Sequence, residues 1–165
     1  MNDVMPVSSY KPQATNAGFT LIELMVTIAV LAIIVSIAAP NISTQLANQR
    51  VKATTATLVN ALKEAKAESV IRRQNINVVY SSTAKTIVLQ NTSNTVLSTY
   101  SINSKSTISI SPETVTTVTF QPNKMTSNST QVTYTICDSN TVASARQVGV
   151  SAIANISNKL GGACS

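Results

Sequence analysis

The sequence predicts an α+β fold in which a long N-terminal α-helix, its first half transmembrane, packs on an antiparallel β-rich C-terminal domain. Three observations predict it. An uncharged apolar run extends from Leu24 to Ala39. An Ala-rich stretch of helical period follows, with no Gly or Pro between Pro40 and Pro112. From Asn75 onward, short β-branched runs are separated by Ser/Thr/Asn-rich turns.

The apolar run holds only Thr27 and Ser36 as polar interruptions. As one helix from Phe19 to Ala39 it reaches about 31 Å, enough to cross a hydrocarbon core. Glu23 then sits near one end of a membrane helix. An ionised side chain there costs up to roughly 3 kcal/mol unless it finds a partner or the interface, which marks it as a functional residue. Past Pro40, Leu58, Leu62, Ala65 and Ser69 recur at helical spacing, with Ala61 beside them and Leu46 and Val51 upstream. Lys63, Glu64, Lys66 and Glu68 point elsewhere, so this is an amphipathic helix running to about Arg73. From Phe19 to Arg73 a continuous helix is about 80 Å long.

Strands are expected at Ile76–Tyr80, Thr86–Gln90, Thr95–Tyr100, Thr107–Ile110, Val115–Phe120 and Gln131–Cys137. Their alternation of apolar residues with Thr or Ser marks half-buried antiparallel strands. A last strand is expected around Arg146–Ala152, followed by a loose tail through Gly161 and Gly162. The region past Pro40, about 125 residues, is one domain by size. With no Trp and few aromatics, its core is expected to consist of Val, Ile and Leu.

Composition argues against catalysis. Histidine is absent, which removes the usual general base and the Ser-His and Cys-His arrangements. Past Pro40 the acids are Glu64, Glu68, Glu113 and Asp138. Glu64 and Glu68 share a helix face, but flanking Lys63 and Lys66 make them solvated helix charges rather than an acid–base pair. No glycine-rich phosphate loop occurs and no histidine completes a metal site, so no cofactor is expected. Eleven Lys and Arg past Pro40 leave that region with a net charge of about +7, a balance that attracts polyanions.

Gly18-Phe19-Thr20-Leu21-Ile22-Glu23-Leu24-Met25 followed by a hydrophobic helix resembles the N-terminus of type IV prepilins and of the pseudopilins of type II secretion. Pro40 falls where pilins commonly place a helix-bending proline. The resemblance implies the pilin fold and divides the chain into a leader (1–18), a transmembrane and assembly helix (19–40), an amphipathic second half (41–73) and a β-rich domain (74–165). It also implies that a prepilin peptidase cuts between Gly18 and Phe19 and methylates the new amine of Phe19. Glu23 would neutralise the N-terminal amine of a neighbouring subunit in the filament core, where opposite charges attract far more strongly than in water and each alone is expensive. Translation could start at Met1 or at Met5.

The layout, the helix end Ala65-Lys66-Ala67-Glu68-Ser69-Val70-Ile71-Arg72-Arg73 and the late Arg146-Gln147-Val148-Gly149-Val150 strand are similar to the GspH/FimT group of minor pilins and pseudopilins. That implies a single-pass protein of the bacterial inner membrane with a periplasmic domain, later placed at the tip of a pilus or pseudopilus. Its partners would be other minor and major pilins or pseudopilins, and its role to start or cap the filament. Cys137 and Cys164, in the part that would be exported, are most simply a disulfide; two reduced buried thiols are the alternative. Some members of the group take part in DNA uptake. Arg72, Arg73 and Lys159 would be the nucleic-acid contacts here, although the stretch from Ser151 to Lys159 holds one lysine and no arginine. Scattered cations fit a solvated surface better, and DNA capture stands as the alternative function. Ser165 is placed like the terminal serine that some pilins glycosylate. A different alternative is an exported β-domain behind an ordinary signal peptide, with Ser36-Ile37-Ala38 as the cleavage site.

Overall fold

The computed structural model describes the backbone of residues 19–162 and residue 164, with the side chains of these residues other than 38–41. Gly18, Met1, Met5 and Ser165 lie outside the described residues, and so do the expectations placed on them. The chain divides into two compact units, Met1–Ala39 and Pro40–Ser165. Helix α1 is assigned from Leu21 to Arg72. Pro40 falls inside that assignment but among the residues without described side chains, so the expected kink also lies outside the described set.

In the first unit every side chain from Leu21 to Ile37 is exposed. Among the described residues, no single helix is long and apolar enough to cross a membrane; Leu21–Ile37 and Ile42–Arg72 meet the requirement only together. The expected span, residues 19–40, runs into residues 38–41, whose side chains lie outside the described set.

In the second unit the helix has a buried face. Ala47, Val51, Thr54, Thr55, Leu58, Ala61, Leu62, Ala65 and Ser69 are all buried, at the three- and four-residue spacing that keeps one stripe facing a core. Leu46 is 54% exposed, against expectation. At 3.6 residues per turn, Leu46 lies about 120° around the helix from Leu58 whereas Ala47 lies about 20° away, so the stripe passes through Ala47. The helix ends at Arg73, whose φ of 52° is left-handed, and the Gln74 N–H donates to the Ser69 carbonyl at 3.3 Å. That is the geometry that closes a helix C-terminus.

Eight strands follow: β1 Ile76–Ser81, β2 Thr86–Asn91, β3 Val96–Ser101, β4 Ser106–Ser111, β5 Thr117–Phe120, β6 Val132–Asp138, β7 Arg146–Val150 and β8 Ile156–Leu160. They form two four-stranded antiparallel sheets, ordered β3-β2-β1-β5 and β4-β6-β7-β8. The chain enters the second sheet with β4, returns to the first for β5, and then stays in the second. β8 corrects the sequence reading: the expected loose tail contains a strand, paired to β7 from Arg146↔Leu160 to Val150↔Ile156. Beyond it, Gly162 has a φ of +118°, and a Cβ there would stand 2.9 Å from the Thr135 methyl group. The tail thus crosses close over β6, and glycine permits both the turn and the approach.

One apolar cluster joins the helix to both sheets. The cluster includes Leu58 and Leu62 of the helix, Val78 and Leu89 of the first sheet and Ile136 and Val148 of the second. Tyr134 and Phe120 are its largest buried side chains, so the core is not built of aliphatic residues alone. Burial pushes the Tyr134 phenol well above its usual pKa.

Candidate functional site

The candidate site is the helix itself, and it changes character along its length. At its start Thr20 is the N-cap: the Glu23 N–H donates to Thr20 Oγ1 at 3.3 Å and the Leu24 N–H to the Thr20 carbonyl at 3.2 Å. Thr20-Leu21-Ile22-Glu23 has the spacing of a capping box, a local signal that the sequence reading missed. Glu23 therefore occupies the first turn, where the helix dipole favours a negative charge. Phe19, directly before the cap, is 81% exposed.

The two polar residues of the apolar run are satisfied internally. The Thr27 hydroxyl donates to the Leu24 carbonyl and the Ser36 hydroxyl to the Ile33 carbonyl, each at 2.8 Å. Neither hydroxyl then needs water, which suits a helix destined for apolar surroundings. The large apolar side chains from Leu21 to Ile37 remain between 50% (Val30) and 75% (Leu21) exposed. A continuous apolar surface of this kind marks an interaction site in protein or lipid.

The second half is held by polar contacts as well as by the core. Arg50 clasps Asp138 through two hydrogen bonds, Nε to Oδ2 at 2.8 Å and a terminal nitrogen to Oδ1 at 2.9 Å. The Asp138 side chain is fully buried, and the Arg50 guanidinium holds its carboxyl below the usual range. Asp138 follows directly on Cys137, so this pair fixes the helix to the end of β6. Thr54 donates to Ser106 at 2.9 Å, Lys66 Nζ to the Ala154 carbonyl at 2.7 Å, and Ser69 to the Gln121 carbonyl at 3.3 Å. Glu64 accepts the hydroxyls of Ser98 and Tyr100 on β3, and its carboxylate raises the Tyr100 pKa. Glu64 is thus a clamp to the first sheet and not merely a solvated charge. No sequence signal pointed to the Arg50–Asp138 pair, because its members lie 88 residues apart.

Cys137 and Cys164 are joined in a disulfide with a Cα–Cα distance of 5.9 Å. It ties the tail beyond β8 to β6. The residues expected to touch nucleic acid are not joined to one another. Arg72 pairs with Glu68 in the last helical turn, Arg73 forms the left-handed cap, and Lys159 lies on β8 opposite Gln147. Among the described residues, no group of three or more His, Cys, Asp or Glu gathers where it could hold a metal ion.

Comparison with known proteins agrees with this architecture. Residues 14–39 match the model of the prokaryotic N-terminal methylation motif, and residues 54–154 match that of the type II transport protein GspH. Among solved structures, the type IV minor pilin FimU of Pseudomonas aeruginosa superposes with a TM-score of 0.61 at 19% identity, covering 71% of this chain and 96% of FimU. The minor pseudopilin EpsH from the type 2 secretion system of Vibrio cholerae superposes with a TM-score of 0.55 at 8% identity, covering 67% of this chain and 97% of EpsH. These likenesses establish the shared pilin fold. No curated protein matches the chain.

Proposed function

Because this chain belongs to the family of the type II transport protein GspH, we propose that it is a minor pilin or pseudopilin subunit that helps start or cap a type IV pilus or a type II secretion pseudopilus. One observation carries the reading: the entire apolar surface of Leu21–Ile37 is uncovered in the single chain. A membrane would cover it before assembly and neighbouring helices would cover it afterwards. The methylation motif at residues 14–39 supports cleavage between Gly18 and Phe19 by a prepilin peptidase, followed by methylation of the Phe19 amine. The cleaved chain is a single-pass inner-membrane protein with residues 41–165 in the periplasm. Residues 19–40 act as its assembly segment, 41–73 as the half of the helix that the domain covers, and 74–165 as the β-rich domain. Pro40 sits where the two halves meet.

In this account Glu23 pairs with the N-terminal amine of a neighbouring subunit. Alone in an apolar filament core, either charge is costly; together they offset that cost and set the register between helices. Its place in the first helical turn keeps the carboxylate at the end where the neighbour's amine would arrive. The other partners are major and minor subunits of the same filament. The protein is a substrate of the peptidase and carries out no chemistry of its own.

The test is Glu23→Val in the host. Membrane insertion should persist, because the substitution only adds apolar surface, while the amount of protein in sheared filament fractions should fall severalfold. Undiminished incorporation would remove the role given to Glu23.

A further inference from the structure

The domain carries a pocket that none of these roles uses. Asn48, Lys52, Ser144, Arg146 and Leu160 line a cavity of about 280 Å³ between α1, the loop before β7 and the end of β8. Asn48 and Lys52 are four residues apart on α1 and share a face. Arg146 opens β7 directly opposite Leu160.

The lining is built of donors. The Ser144 N–H donates to Asn48 Oδ1 at 2.8 Å, which occupies the amide oxygen and leaves the Asn48 NH₂ to donate. The Lys52 ammonium, the Arg146 guanidinium and the Ser144 hydroxyl complete the set. Among the described residues neither the Lys52 nor the Arg146 side chain has a hydrogen-bond or ion-pair partner. No acid lines the pocket: Asp138 is engaged by Arg50, Glu68 by Arg72 and Glu64 by Ser98 and Tyr100, and Glu113 is not among the lining residues. Among the described residues, two cations without an ion-pair partner and an oriented amide thus face one hollow, a setting that suits an anion.

We infer that this pocket receives an aspartate or glutamate side chain from a different subunit of the same assembly, an inference that rests on the proposed subunit role. The Arg146 fork and the Lys52 point charge suit a carboxylate, which accepts from both at once. Leu160, 68% exposed at the rim, offers an apolar contact to the residues flanking that acid. A nucleic-acid backbone would need a track of cations, whereas here two cations face one open hollow beside the apolar Leu160. A second copy of this chain is disfavoured by charge, because two domains of about +7 repel each other.

The experiment uses the full chain in its host, with a photo-crosslinking residue at Leu160 and, separately, at Ile28 in the exposed helix. The expected result is a crosslink from position 160 to a different filament subunit, in a peptide containing Asp or Glu. Lys52→Glu with Arg146→Glu should cut the yield at least about tenfold while the Ile28 crosslinks persist. Asp or Glu→Lys in the captured peptide should restore it. The milder pair Lys52→Gln and Arg146→Gln, checked for an intact Cys137–Cys164 bond, should give an intermediate loss and exclude misfolding as the cause. A silent Leu160 probe beside a productive Ile28 probe overturns the pocket assignment alone, as does a yield indifferent to both charge changes. A crosslink to DNA or to a second copy overturns it as well. Silence at both positions overturns the subunit role and the pocket together.

Discussion

One helix here lives in two surroundings, and comparing its halves shows what each was built for. From Leu21 to Ile37 apolar side chains occupy every face and all are exposed. From Ala47 to Ser69 the apolar residues are confined to one stripe, and that stripe is buried. Among the described residues the first half is left uncovered, so its sequence obeys the rule for a helix surrounded by lipid or by other helices. The second half obeys the rule for a helix laid on sheets. Polar residues follow the same division. Thr27 and Ser36 turn inward to their own helix, while Arg50, Thr54, Glu64 and Lys66 reach across to strands and loops.

The largest expected contrast comes from matched truncations. Leu58→Ala should lower the stability of the domain by about 2–5 kcal/mol, because Leu58 is fully buried in the core cluster and leaves a cavity. Ile28→Ala should leave domain melting within about 0.5 kcal/mol, since the side chain is 57% exposed and belongs to no described core. Denaturant melting of the full chain in detergent measures both. Equal effects would erase the distinction between the halves.

Next in size is the disulfide. Cys137→Ser, or reduction, should cost about 3 kcal/mol through the loop that Cys137 and Cys164 close over 27 residues. Thermal melting with and without reductant reads the effect, which should be confined to the domain. An unchanged midpoint would show that the β8 pairing holds the tail by itself.

Asp138→Asn should follow. The folded carboxyl titrates lower than in the unfolded chain, so the unfolded state binds the extra proton at intermediate acidity. The contribution is complete above the unfolded value, near 4, and is lost as pH falls through the lowered folded value. Melting measured from pH 6 to pH 2 should therefore show a weaker acid dependence in Asp138→Asn than in the natural chain. The smallest effect belongs to Glu64→Ala, about 1 kcal/mol, because each hydroxyl that it releases on β3 can turn to water.

The same contrast explains how much was legible in the sequence. The apolar run, the period through Leu58, Leu62 and Ala65, and the strands from Ile76 to Phe120 all follow local rules of period and turn chemistry. Leu46 misled because an apolar residue beside a stripe resembles one on it until the phase is counted back to Ala47. β8 escaped because Ile156-Ser157-Asn158-Lys159-Leu160 is an edge strand made by backbone pairing to Arg146–Val150, with little side-chain burial to betray it. The Arg50–Asp138 clamp and the Lys52–Arg146 pocket depend on which strand end meets which helical turn, and local sequence does not encode that. The assembly half of the candidate site was legible because its surroundings act on every residue alike.

The central claim is that the exposed half is the assembly segment of a processed subunit, and its mature N-terminus tests this most directly. Intact mass and terminal peptide sequencing of the chain recovered from its host membranes should show a start at N-methyl-Phe19. A chain beginning after Ala38, or one left uncut, would contradict the account, because the apolar half would then be a discarded signal or a plain anchor.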